Sequence, residues 1–347
     1  MDIPVVETKV ADAPAPVLKT NYRLRVEELC QRSENFDIKN KHCFLQIAKW
    51  GSVIVDDVLE SYFDSVRAQE DFVDFKLCIL VRILFFKFTD ENADANNKQQ
   101  QIKDLLLNFP FWPPFFTKGK DFQNSFGFWS ENHALMFLSS AHLYAQIVTD
   151  MPVEKRNEFN IATHLLRSYL RIHVGDNNND PLRGFYEVFA HVYNNYTFCA
   201  LLNLYDFSED PEIKQNAKLL ADRLTNQIAL ATSDQGVTTL TASARTFERV
   251  RTQTWGQTIN QMTLILTGIS VDGFNPTAVT GFLLTSSYEP NEEKLLGYVK
   301  NRISLRGVPL NHATSETDDI YSCIATEKEK MPFLWYAAFY CFPIEVK

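Results

Sequence analysis

The chain has 347 residues, 45% hydrophobic and 22% charged, the composition of a packed globular protein and not of a disordered one. Its formal net charge of −9 argues against nucleic acid or an anionic membrane as the main partner, because both reward clustered Lys and Arg. The six cysteines (Cys30, Cys43, Cys78, Cys199, Cys323, Cys341) show no CxxC pair and no metal-ligand spacing. Set mostly among apolar neighbours, they read as buried thiols in a reducing compartment. No metal and no other cofactor is expected.

In chain order, residues 1–20 are polar and rich in Pro and Ala, without the basic segment and apolar run of a signal peptide. They read as a flexible leader on a cytoplasmic protein. Residues 21–270 read as one helical domain and 271–347 as its helical or irregular continuation. From Tyr22 to Leu107 the pattern is helical, with Val26, Leu29 and Cys30 on one face and Ile54, Val55, Val58, Leu59 and Tyr62 on another. Phe72 to Phe88 is nearly apolar all round. Its core, Cys78 to Phe86, is interrupted by Arg82 and is far shorter than the ~20 residues of a membrane span, so it reads as a buried helix. The polar tract Asp90 to Gln101 reads as an exposed connection. Asn108 to Phe116 holds three prolines and five aromatics, a loop that must pack somewhere.

Helices are then expected over 129–148, Val153–Val174 (ended by Gly175), Phe185–Tyr205, and Pro211–Ala231 with proline in its first turn. Val237 to Thr241 is β-branched and reads as a strand or extended loop. Further helical pieces are expected near 255–268, 276–286, 292–301 and 331–341. Apolar helices joined by short polar loops predict antiparallel helical hairpins.

Three clusters carry chemistry. In Trp129-Ser130-Glu131-Asn132-His133, Ser130 as N-cap puts Asn132 and His133 in the first turn of a helix, where free backbone N–H groups favour an anion. The plainer alternative is local backbone capping. On the helix expected over Phe185–Tyr205, Glu187, His191 and Asn194 share a face, and Tyr193 and Tyr196 another. They line a cavity, or the tyrosines are core rings with partnered hydroxyls. Arg245, Arg249 and Arg251 bind a carboxylate or form a solvated face.

The run from Trp129 to His133, with Gly184-Phe185-Tyr186-Glu187, Tyr193 to Tyr196, Leu202 to Phe207 and Arg245-Thr246-Phe247, resembles a little-characterised set of helical proteins of six-hairpin (α/α toroid) type. More distantly it resembles polysaccharide lyases on that toroid, such as the alginate lyases, which carry Asn-Asn-His-Gly at a helix start. In those enzymes a Glu is followed nine residues later by a Tyr, the separation of Glu187 and Tyr196. Here Glu131 replaces the first Asn, Ala134 the Gly, and Ala190 the arginine three residues after the Glu.

The resemblance implies a mainly α (α/α) toroid or partial toroid with a less regular C-terminal part. It also implies a saccharide or polysaccharide substrate and β-elimination at a uronate. Asn132 and His133 would neutralise the carboxylate and Tyr196, or Tyr193, would move the proton. Trp129, Trp112, His191 and Arg245 would bind the sugar. Two other functions stay open at this point. One is a glycoside hydrolase using Glu131 and Glu187, and the other is a non-catalytic toroid binding a glycan or a protein.

Overall fold

The computed structural model describes residues 21–34, 41–70, 72–111, 131–175, 185, 193–230, 232, 258–269 and 273–305. Helix makes up 77% of these residues and none is in a strand, so the class is mainly α. The helices are α1 (Tyr22–Glu34), α2 (Phe44–Trp50), α3 (Asp56–Ala68), α4 (Val73–Leu84), α5 (Ala93–Leu107) and α6 (Glu131–Ile147). After them come α7 (Val153–Val174), α8 (Tyr193–Phe207), α9 (Pro211–Leu230), α10 (Thr258–Thr267), α11 (Thr280–Thr285) and α12 (Glu292–Leu305).

The near-continuous apolar stretch from Phe72 becomes α4, ten of whose twelve residues are buried. A helix apolar all round must be wrapped on every side. Cross-contacts reveal how. Asp74 meets His133, and one turn on the Cys78 thiol meets Ser140 Oγ at 3.5 Å, so α4 and α6 run in the same direction. Phe75 packs on Tyr196 and Phe85 on Phe207, so α8 runs parallel as well. Phe282 and Thr285 of α11 meet Phe75 and Arg82 in the same order. The first turns of α4, α6, α8 and α11 therefore share one end of the bundle.

A second row runs the other way. Tyr169 of α7 donates to the Glu131 carbonyl at 2.9 Å, while Thr163 meets His142 at 3.1 Å, so α7 is antiparallel to α6. Arg167 binds Asp210 and Arg171 binds Glu212, setting α9 alongside α7 in the same direction. The connection from α8 to α9 is residues 208–210, and the one from α6 to α7 is residues 148–152. Short loops leave a chain no route but to fold back as a hairpin.

One apolar cluster extends from Tyr22 to Val299. Buried arginines lock its far ends. Arg25 donates to the carbonyls of Ile265 (3.1 Å) and Leu266 (2.9 Å), which close α10, and pairs with Glu292 at the start of α12. Gly268 follows α10 with φ +73, and a Cβ there would stand 3.2 Å from the Arg25 side chain. Only glycine meets both demands. Arg82 joins α4 to α8 and α11, reaching Asn203 (2.8 Å), Asp206 (2.7 Å) and Thr285 (2.8 Å).

Two expectations need correction. The polar tract after Asp90 is not an exposed connection but most of α5, capped by the Asn92 side chain on Ala95 N–H at 3.1 Å. Its Ala95, Ile102 and Leu106 are buried, and Gln99 donates to the carbonyls of Ile83 (2.7 Å) and Phe86 (2.9 Å) at the end of α4. The polar run is its solvent face and its link to α4. The piece expected near 276–286 is helical only over Thr280–Thr285. Phe109 and Phe111 are buried against Phe137, Tyr144 and Phe159, as a packed aromatic loop requires.

Cys30, Cys43, Cys78 and Cys199 are buried free thiols. Cys323, Cys341, the leader, the segment Val237 to Thr241 and the piece near 331–341 lie outside the described residues. No helix among the described residues is long and apolar enough to cross a membrane.

Candidate functional site

The shared N-terminal end of α4, α6 and α8 gathers the chemically able side chains. On α6, Glu131 and Asn132 are buried to 1% exposure while His133 is partly open. A helix turns about 100° per residue, so neighbours in one turn point to different partners. Glu131 faces α7, where its carboxylate lies 3.5 Å from His173 Nε2. His173 is stacked on Tyr169 at 4.1 Å and packed against Phe185 at 5.0 Å. Its Nδ1 donates to the Tyr169 carbonyl at 2.8 Å.

His133 faces α4. Its Nδ1 lies 2.5 Å from Asp74 Oδ2, and Asp74 is 1% exposed. A carboxylate accepts only, so the contact assigns a proton to Nδ1 and aims Nε2 away from Asp74. An imidazole held by a buried carboxylate has a fixed tautomer and orientation, the arrangement that base or electrostatic work demands. The Phe72 ring stands 6.2 Å from the imidazole, tilted 43°.

One residue past Asp74, Phe75 meets Tyr196 of α8 edge to face at 5.0 Å. His133 and Tyr196 are thus both anchored on adjacent residues of the first turn of α4. Tyr193 starts α8 one turn before Tyr196, and both tyrosines are partly exposed. Beneath them the Cys78 thiol is pushed up to about 12 by burial, with the charge on Asp74 adding to it. It is inert as a nucleophile at neutral pH. No three His, Cys, Asp or Glu side chains gather as metal ligands among the described residues.

Of the residues that the sequence singles out, Glu131, Asn132, His133, Tyr193 and Tyr196 fall at this end of the bundle. Trp112, Trp129, Glu187, His191 and Arg245 lie outside the described residues. Three residues escaped sequence reasoning: Phe72, Asp74 and His173. Asp74 did leave a trace. It and Lys76 open an otherwise apolar segment, and a carboxylate there needs a cationic or N–H partner. The trace does not say which, because His133 is 59 positions away. A further carboxylate, Asp206 at the end of α8, serves structure: it pairs with Arg82 and accepts from Ser286 Oγ (3.0 Å) and from Ser287 N–H (2.9 Å) and Oγ (2.7 Å).

No family model, curated protein or solved structure matches the chain.

Proposed function

We propose that the chain is a carbohydrate-active protein of α/α-toroid or partial-toroid type, which takes a uronate-containing polysaccharide at the end of the bundle where α4, α6 and α8 begin. The observation that carries this reading is that His133 packs on Asp74 and Tyr196 on Phe75, adjacent residues in the first turn of α4. Residues 63 apart in sequence, from two different hairpins, thus lie at one end of the bundle. The parallel row of α4, α6, α8 and α11, flanked by α7 and α9 running oppositely, supports the toroid, whose site opens where its inner helices begin.

The chemistry is β-elimination. A base removes the proton next to the uronate carboxylate, that electron pair forms the ring double bond, and the bond to the leaving glycosidic oxygen breaks as that oxygen takes up a proton. Charge accumulates on the carboxylate as the proton leaves, so donors must face it. His133 is the donor at the surface and Asn132 the polar group beneath it. Tyr196 carries the proton, with Tyr193 next to it. A phenol with an ordinary pKa near ~10 needs a cation close by to act as base at neutral pH, and an imidazolium at His133 supplies one.

Glycoside hydrolysis by Glu131 and Glu187 is less well supported. Glu131 is buried and faces His173 of α7.

The test is the ultraviolet absorbance of the unsaturated uronate during incubation with a panel of uronate polysaccharides. A rise that Tyr196→Phe abolishes with an unchanged melting temperature, and that His133→Gln, which keeps a donor for the buried Asp74, abolishes in a protein that still folds, is the expected result. No rise with any substrate, together with release of reducing ends abolished by Glu131→Gln, would move the assignment to hydrolysis. Silence in both assays would leave a binding protein.

A further inference from the structure

Two carboxylate–imidazole contacts brace the first turn of α6. His133 reaches Asp74 of α4, and Glu131 reaches His173 of α7. Residues two apart on a helix point about 200° apart, so the turn is gripped from opposite sides. The contact with α7 is the more enclosed, with the His173 and Glu131 side chains 1% and 2% exposed.

Donors and acceptors at His173 follow from its neighbours. A backbone carbonyl only accepts, so Nδ1, 2.8 Å from the Tyr169 carbonyl, carries a proton. In a neutral imidazole the other nitrogen then presents a lone pair. That nitrogen, Nε2, lies 3.5 Å from Glu131 Oε2. A lone pair facing an ionised carboxylate repels it, and little solvent reaches either group to screen the repulsion. A proton on either partner turns the contact attractive, as imidazolium with carboxylate or as imidazole with carboxylic acid.

We propose that His173 and Glu131 hold one buried proton between them at neutral pH, and that with the Tyr169 hydroxyl they latch the first turn of α6 to the end of α7. The latch makes Tyr169 and His173 positioning residues for Asn132 and His133, which that turn carries. Only this last role rests on the saccharide reading of the same end of the bundle.

A first turn needs such a hold because its N–H groups have no partner inside the helix. Here α7 grips one residue twice: Tyr169 donates to the Glu131 carbonyl at 2.9 Å while His173 meets its carboxylate. The imidazole is itself held. It stacks on Tyr169 at 4.1 Å and packs against Phe185 at 5.0 Å. Behind it, Arg223 of α9 donates to the carbonyls of His173 (3.3 Å) and Val174 (3.0 Å). A ring fixed in this way keeps Nε2 on the carboxylate.

The experiment uses the full chain without ligand. Histidine ring nitrogen and carboxyl carbon resonances are recorded at about pH 7. A doubly protonated His173 ring beside an ionised Glu131 is expected, and a neutral ring beside a protonated Glu131 is the same proton on the other partner. In Glu131→Gln the ring should be neutral, because the new amide donates to Nε2. A neutral ring beside an ionised Glu131 in the wild type overturns the shared proton. So does a ring that stays charged in Glu131→Gln.

Hydrogen exchange reads the latch. The amides of Leu135, Met136 and Phe137 bond to the carbonyls of residues 131–133 and open with the first turn. His173→Phe keeps a ring and removes the proton, and should speed exchange at these three amides by about tenfold or more. Tyr169→Phe stays informative if His173→Phe does not fold, and should speed exchange at Leu135 by about threefold or more. Unchanged exchange in both variants overturns the latch. Equal acceleration along the whole of α9 also overturns it, because that reports lost global stability. Neither measurement involves a saccharide, so the two readings fail separately. Elimination by a protein without the shared proton leaves the reaction and removes the latch. The latch without any unsaturated product stands, and the reaction is removed.

Discussion

Acid should weaken this protein through His142, in the middle of α6. The imidazole is buried to 5% exposure, with Nδ1 3.1 Å from Thr163 Oγ1 and Nε2 3.0 Å from Ser208 Oγ. Burial pushes its pKa from the ordinary 6.5 down to about 4, against the pull of Asp210 and with some help from Arg167. The folded state therefore keeps the ring neutral where the unfolded chain protonates it. Between those two values the unfolded state binds more protons, so stability is fully present above 6.5 and is lost as pH falls toward 4. The full loss is about 3 kcal/mol, and by about pH 5 some 2 kcal/mol of it is gone. Other carboxylates titrate over the same range, so the measurement is a difference. Urea unfolding of the wild type and of His142→Gln, at about pH 7.5 and about pH 5, should show the wild type losing about 2 kcal/mol more than the variant, which carries no titrating ring. Equal losses in the two proteins would refute the argument. So would a His142 ring resonance in the folded protein that titrates near 6.5.

Two further substitutions probe the core. Arg82→Met removes the cation from Asp206, whose side chain is 5% exposed, and should cost about 3–5 kcal/mol in urea unfolding; Arg82→Met combined with Asp206→Asn should recover part of that, and a single-variant loss below about 1 kcal/mol would show the pair to be incidental. Gln46 is 2% exposed, and neither end of its amide has a hydrogen-bond partner. Gln46→Met, of similar shape, should raise stability by about 1 kcal/mol or more, and a lowered melting temperature would mean that the amide is satisfied by bound water.

Much of the helical framework is legible along the chain because its signals are local. Val153–Val174 begins after Pro152 and ends at Gly175, whose φ of 74 suits a residue without a Cβ. Pro211 opens α9 where its missing N–H has no helical partner to lose. α5 escaped because its evidence is sparse. Ala95, Ile102 and Leu106 supply the buried stripe, and the Asn and Gln side chains between them look like loop composition until Gln99 is seen capping α4. The site was half legible for the same reason. Polar groups at the start of the apolar helix α6 draw attention to Asn132 and His133, and their chemistry can be stated without coordinates.

Periodicity along one chain reports which face of a helix is buried, because that depends on residues three and four positions apart. It carries no information on which helix lies opposite. That α4, α6 and α8 run side by side in one direction was decided by packing, and with it the pairing of Asp74 with His133. The same packing turned Glu131 inward to His173 and left Phe72 at the rim. Local patterning along the chain is enough to specify amphipathic and apolar helices with polar residues at their first turns. Which of those turns meet depends on long-range packing, because buried charges such as Asp74 and Arg82 find their partners on helices 59 to 203 positions away.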